Sequence, residues 1–279
     1  MEPRFVEAGG LRFAYLEQGD GPLVLLIHGF PDTAYTWDRA LPALAEAGYR
    51  AVAPFTRGYH PTAVPASGSY DSATLAQDVL AWIEALGGGP AIVIGHDWGA
   101  IAAYGAATLA PEKIRLLVTL AIPHPAAIRP SPRLAWAARH FVTLRRRNAG
   151  EIVRANDFAY VDELWRRWSP SWTNLPASET AHVKAALRPP GAAEAACAYY
   201  RALGRPPASL RKRITVPAVA FAGEHDIIAP RVYEKARHYF ESSYEVVQTP
   251  GGHFLHREHP GHVIPELVRV IDDHVARGR

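Results

Sequence analysis

A carboxylate stands where a tight strand-to-helix turn would present a nucleophile. Residues 95–100 read Gly-His-Asp-Trp-Gly-Ala and follow the apolar run Ala91–Gly95 directly. The small-x-acid-x-small spacing fits an elbow so tight that its flanks, Gly95 and Gly99, must be small. Its central side chain, Asp97, is then pushed out at the carboxyl end of a sheet, facing a helix N-terminus. Taken alone, the same spacing suits an acidic helix cap whose glycines merely permit a turn. Two further segments favour chemistry. The run Leu23–His28 leads into Gly29-Phe30-Pro31-Asp32, a loop able to aim the Phe30 backbone N–H at the point reached by the Trp98 N–H. Two such donors make an oxyanion hole. Gly251-Gly252-His253-Phe254 lies just past the last strand candidate and puts a histidine within reach of the elbow. An acid to orient it should follow the preceding strand, where VAFAGEHD offers Glu224 and Asp226; Asp226 has the better spacing from the strand end. A carboxylate gains little by attacking an ester, because the product is an anhydride. It can displace a leaving group from an sp³ carbon.

These residues need a sheet to carry them. Short β-rich runs alternate with helical stretches, the pattern of a mostly parallel, doubly wound sheet. Strands are expected at Leu11–Leu16, Leu23–His28, Arg50–Pro54, Ala91–Gly95, Leu116–Ile122, Val216–Ala222 and Tyr244–Gln248. The continuous apolar runs suit strands buried on both faces. Apolar residues between Asp71 and Leu86 recur at helical intervals, with Asp71 or Ser72 able to cap and Gly87–Pro90 to terminate. From about Pro125 to Pro207 the buried-strand pattern stops. That stretch is rich in Trp, Arg, Tyr and Pro and offers amphipathic helices at 133–147, Phe158–Trp168, Ser178–Leu187 and Ala192–Leu203, with turn punctuation at Arg205-Pro206-Pro207.

Composition narrows the classes. Of 279 residues, 48% are hydrophobic and 20% charged, which argues against a disordered, collagenous or coiled-coil chain. The longest apolar runs fall far short of the roughly 20 residues a membrane span needs. The N-terminus lacks the apolar core of a secretory signal, so the expected location is cytoplasmic. A single cysteine, Cys197, rules out an intrachain disulfide and a cysteine nucleophile at the elbow. The net charge of +3 comes from scattered Arg and Lys with no aromatic-and-basic module, so nucleic acid is not an expected partner. His253, His256, His259 and His262 recur every three residues, but Pro260 and Gly261 break any single helix through them, and no metal is expected. His96 should face away from the elbow and be buried and hydrogen-bonded. Trp165, Trp168 and Trp172 read most simply as packing, with the alternative that one of them lines the substrate tunnel.

HGFP at 28–31, RGY at Arg57–Tyr59, GHDWGA at 95–100, IPHP at 122–125 and GGHF at 251–254 together resemble an α/β-hydrolase of the epoxide hydrolase-like branch, which also includes dehalogenases. The resemblance runs over essentially the whole chain. The pairing of HGFP with GHDWG is specific; a serine esterase would carry Ser at 97. The order 97, 226, 253 is that family's nucleophile, acid and histidine. The resemblance implies an α/β-hydrolase fold, with a mostly parallel eight-stranded sheet flanked by helices. The core would span 1–125 and 211–279, with an α-helical cap inserted at 126–210. It also implies an epoxide hydrolase making vicinal diols through an alkyl ester on Asp97, which water activated by His253 then hydrolyses. No cofactor is expected. The implied partners are a small apolar epoxide and water, in a monomer or homodimer.

An epoxide's leaving alkoxide is strongly basic, so an acid must hydrogen-bond the ring oxygen. Epoxide hydrolases usually supply this from two cap tyrosines. Ala198-Tyr199-Tyr200-Arg201 resembles the cap's Tyr-Arg site and nominates Tyr200; Tyr199, about 100° round the same helix, is expected to pack. The region of the second tyrosine, 136–141, has none, and His140 falls at that place. Some relatives pair His with Tyr. A helix histidine without a role is the alternative for His140. Two other functions stay open: a haloacid or haloalkane dehalogenase using the same aspartate, and a non-catalytic binding module on the same fold.

Overall fold

The computed structural model describes residues 1–205 and 207–277. Pro206, in the expected Arg205–Pro207 turn, and Gly278 and Arg279, closing the expected 211–279 segment, lie outside the described residues. The chain begins with two strands, β1 (Arg4–Ala8) and β2 (Leu11–Gln18), then β3 (Leu23–Ile27), α1 (Ala40–Glu46), β4 (Arg50–Pro54), α2 (Ser72–Leu86) and β5 (Ala91–His96). After the elbow come α3 (Trp98–Leu109) and β6 (Ile114–Leu120). Five helices follow with no strand between them: α4 (Pro132–Ala137), α5 (His140–Leu144), α6 (Ala149–Trp168), α7 (Ala177–Leu187) and α8 (Ala192–Ala202). The chain then returns to the sheet with β7 (Ala218–Gly223), α9 (Pro230–Lys235), β8 (Tyr244–Thr249), α10 (Leu255–Glu258) and α11 (Pro260–Arg277).

The eight strands form one sheet in the order β1-β2-β4-β3-β5-β6-β7-β8. β2 pairs antiparallel with β1 and β4, and the other neighbours are parallel. This is the expected α/β-hydrolase architecture, a mostly parallel sheet flanked by helices. The central strands are buried along nearly their whole length, as in β5, where every residue is inside. Their side chains feed two apolar layers, one on each face of the sheet. Asp71 accepts N–H bonds from Ala73 and Thr74 and so caps α2. Among the described residues, no helix is long and apolar enough to cross a membrane.

Several elements depart from the sequence expectation. The edge strand β1 was not anticipated, because its alternating residues are only partly buried and leave a weak pattern. β6 begins and ends two residues before the expected Leu116–Ile122, and β7 begins two residues after Val216. The single helix expected over 133–147 is two short ones: Ser131 caps α4, which stops at Ala137, and α5 restarts at His140. α6 begins at Ala149 rather than Phe158, with a break at Ala155–Phe158 where Asn156, Asp157 and Phe158 all take positive φ.

Candidate active site

Asp97 is the single residue between β5 and α3. Its φ of 52° lies in the left-handed region, which a non-glycine residue enters only when its surroundings enforce it. The neighbours supply that enforcement. A Cβ at Gly95 would run into the Gly99 backbone, and one at Gly99 into the Ile27 backbone. A Cβ at Gly29 would collide with the Asp97 side chain and crowd the Trp98 nitrogen. The three motif glycines are therefore required by close approach of the loop after β3 to the elbow.

The turn brings the anticipated residues together. The Phe30 N–H donates to Asp97 Oδ1 at 2.8 Å. The Trp98 N–H is the first of α3 and has no intrahelical acceptor. His253 Nε2 lies 3.5 Å from Asp97 Oδ2, an ion-pair contact looser than a hydrogen bond. On its other side, His253 Nδ1–H faces Asp226 Oδ1 at 3.2 Å, and that oxygen also accepts the Ile227 N–H at 2.6 Å. Of the two acids at the end of β7, Asp226 is the one at the histidine, as its spacing implied; Glu224 is exposed.

Charge is concentrated in a nearly dry place: Asp97 is 9% exposed and His253 1%. Burial disfavours the Asp97 carboxylate. The His253 contact, first of all, and the Phe30 N–H outweigh that and hold its pKa below the usual value. Burial likewise opposes the His253 cation, but Asp226 and Asp97 overcome it and push His253 up to about 10.

Asp97, His253, Tyr200 and His140 all line one cavity of about 250 Å³, whose remaining wall is mainly isoleucine, leucine and aromatic side chains. Tyr200 comes from α8 and His140 from the start of α5, so two of the helices between β6 and β7 line the space above the elbow. Tyr200 is boxed by aromatic rings: Phe30 at 5.1 Å, Trp98 at 5.3 Å and Phe141 at 4.9 Å between centroids. Burial, and then the Asp97 charge, raise its pKa well above the usual phenol value. The His140 ring lies 5.6 Å from Tyr200, and burial pushes its pKa down to about 3, which keeps it neutral. Tyr199 turns away and donates from its hydroxyl to the Arg57 carbonyl at 2.8 Å.

Sequence reasoning passed over two contributors. Trp168 lines the cavity, packs edge-on to His253 at 5.1 Å, and accepts the His253 N–H on its carbonyl at 2.9 Å. Packing was the simpler reading of Trp165, Trp168 and Trp172; Trp168 is the one that meets the alternative of lining the cavity, while its contact with His253 was not anticipated. His96 is buried and hydrogen-bonded as expected, but its partner is the His253 carbonyl, 3.0 Å from Nε2.

A family model described as alpha/beta hydrolase fold matches residues 22–260. The chain belongs to the α/β-hydrolase fold family. Its similarities within the family lie with epoxide hydrolases. An epoxide hydrolase of Caballeronia sordidicola is 42% identical over 119 residues, which are 42% of this chain and 36% of that relative, so the chain spans little more than a third of its length. The Bacillus subtilis AB hydrolase superfamily protein YfhM is 28% identical over 95% of this chain and 96% of its own. A crystal structure of an epoxide hydrolase from Vigna radiata superposes with a TM-score of 0.82 at 26% identity, covering 98% of each chain. This α/β hydrolase is epoxide hydrolase-like in both sequence and fold.

Proposed function

We propose that this α/β hydrolase is an epoxide hydrolase that converts a small apolar epoxide to a vicinal diol. One observation carries the reading. A desolvated carboxylate, a histidine paired with a second carboxylate, and a buried neutral tyrosine all face one largely apolar cavity. An ester hydrolase has no use for such a carboxylate; ring opening at an sp³ carbon does.

In the first step Asp97 Oδ2 forms a bond to a ring carbon, and the carbon–oxygen bond of the ring breaks. The electron pair goes to the ring oxygen, which takes the Tyr200 proton. His140, kept neutral by burial, offers an N–H to the same oxygen. The segment 126–210 acts as a lid that supplies both groups. Esterification removes the negative charge of Asp97, one of the two that hold His253 protonated, so the imidazolium gives its proton through solvent to the Tyr200 phenolate and becomes the base that the second step needs. In the second step His253 takes a proton from water, and the hydroxide adds to the ester carbonyl. The oxyanion rests on the Phe30 and Trp98 N–H groups, donors worth roughly 3–4 kcal/mol each. Collapse breaks the ester, the departing diol oxygen takes the proton from His253, and the acid left on Asp97 ionises. That proton returns to His253, so the enzyme is restored and the sum is epoxide plus water to diol.

The test is a His253→Gln variant mixed with a panel of epoxides. A mass increment equal to the epoxide, mapped to Asp97, is expected. If no epoxide gives an adduct while haloacids or haloalkanes release halide, the protein is a dehalogenase. Inertness toward both panels would make it a binding module.

A further inference from the structure

A second titratable cluster sits beside His253 and lines no part of the cavity. Asp32 follows β3, His96 ends β5 and His256 lies in α10. None is more than 1% exposed. One potential ligand atom from each lies within 4.8 Å of the other two.

Each of the three has one polar atom held by the protein and one left over. His96 Nε2 is 3.0 Å from the His253 carbonyl. A carbonyl only accepts, so the proton is on Nε2 and His96 Nδ1 carries a bare lone pair. His256 Nε2 bonds Thr36 Oγ1 at 2.7 Å. Asp32 Oδ1 accepts the Thr33 N–H at 2.8 Å and meets His182 Nε2 at 2.9 Å. Buried and without a protein partner remain His96 Nδ1, His256 Nδ1 and Asp32 Oδ2. The Thr36 hydroxyl can accept from His256 Nε2; in that tautomer all three are acceptors, and among the described residues none of them meets a donor. Such a group is costly to bury unless a donor or a cation completes it.

The donor set identifies the cation. Two neutral imidazoles and one carboxylate suit a divalent transition metal, zinc above all. Ligating histidines also tend to donate their other N–H to a carbonyl or similar group, which fixes the ring; His96 does so to His253. We propose that Asp32, His96 and His256 form a buried site for one divalent transition-metal ion, with zinc the best match. Ligands about 2.1 Å from a tetrahedral ion lie about 3.4 Å apart, so the three residues, each with a ligand atom within 4.8 Å of the others, close in on loading. The four-histidine series at 253, 256, 259 and 262 contributes only His256; His253 turns to Asp97 and Asp226, and His259 pairs with Glu258.

The experiment counts metal by mass spectrometry in the full-length protein, after growth in zinc-rich medium and again after incubation with zinc or cobalt and removal of excess. About one ion per chain is expected. Cobalt should give the visible bands of a four- or five-coordinate site, and chelation should lower Tm. Asp32→Asn and His256→Gln are each expected to weaken binding by about tenfold or more. Less than about a tenth of an ion in the wild-type protein under every loading condition, with an unchanged Tm, overturns the site and leaves a water or a shared proton there. Undiminished binding in both variants also overturns it, since the ion would then sit on exposed histidines. If a variant fails to fold, as seen by circular dichroism, the wild-type count and the cobalt spectrum decide. None of these readouts depends on epoxide turnover.

Discussion

The backbone N–H of Phe30 donates to Asp97 Oδ1 at 2.8 Å, although 67 residues separate them along the chain. One carboxylate oxygen is thus fixed before any substrate arrives. In the proposed mechanism Oδ2, 3.5 Å from His253 Nε2, is the oxygen that attacks. An ester formed there makes Oδ1 its carbonyl oxygen, already docked on the donor that stabilises the later oxyanion. The hole therefore needs no rearrangement between the two steps, which is how preorganised donors gain their effect.

The first prediction follows from which carbon the water attacks. In a single turnover with excess enzyme in ¹⁸O-water, the label should enter the carboxylate of Asp97 and not the diol. Mass spectrometry of the peptide holding Asp97 reads this directly. Label in the first-turnover diol, with none on the protein, would mean that water opens the ring itself.

The second concerns Asp226→Asn. The change keeps the shape but removes the charge that does most to hold His253 up at about 10. Ester hydrolysis should slow by about 1,000- to 10,000-fold, the scale seen when an orienting carboxylate is neutralised in another hydrolytic triad. Ring opening should change far less. Rapid-quench kinetics should therefore show a burst of ester followed by slow release. Equal slowing of both steps would remove Asp226 from the role assigned to it.

Tyr200→Phe should act on the other step. The ring stays boxed by Phe30, Trp98 and Phe141, so the variant should fold, while loss of the acid slows ring opening by about 100- to 10,000-fold. His140→Gln should slow the same step less, because a neutral imidazole lends a hydrogen bond and not a proton. Trp98 and Trp168 face the cavity, so stopped-flow tryptophan fluorescence can follow ester formation. If Tyr200→Phe slows only hydrolysis, the acid lies elsewhere.

The elbow was legible in the sequence because its constraint is local. Gly95 and Gly99 must be small for Asp97 to stand at φ 52°, and that demand leaves a five-residue trace. Strands such as β5, buried on both faces, leave an equally plain one. Trp168 left only a faint one: it was one of three tryptophans able to line the tunnel, but its contact with His253 is made across 85 residues of chain, and its spacing on α6 looks like any packed helix. The break between α4 and α5 was hidden for a similar reason. The apolar pattern runs on past Ala138 while the backbone turns, and it is this turn that sets His140 at the head of a helix. The Asp32–His96–His256 group was hidden too, since its members come from three separate elements and only the fold assembles them.

The last prediction is a stability profile with two opposed slopes. Burial pulls His28, His96 and His124 down to about 4, His140 to about 3, and His256 well below its usual value. In the unfolded chain the same side chains take up protons near pH 6.5. Between that pH and about 4 the unfolded state binds more protons than the folded state, so stability falls as pH falls. His253 runs the other way. Raised to about 10, it contributes stability that is complete below pH 6.5 and is lost as pH rises from there toward 10. On the acid side the five buried histidines outnumber it. Tm should drop by on the order of 5 °C or more per pH unit below about 6, with several protons taken up on unfolding. Calorimetry in buffers of different ionisation enthalpy measures both quantities. A Tm that stays level from pH 7 to pH 5 would mean that these histidines are not held neutral in the folded protein.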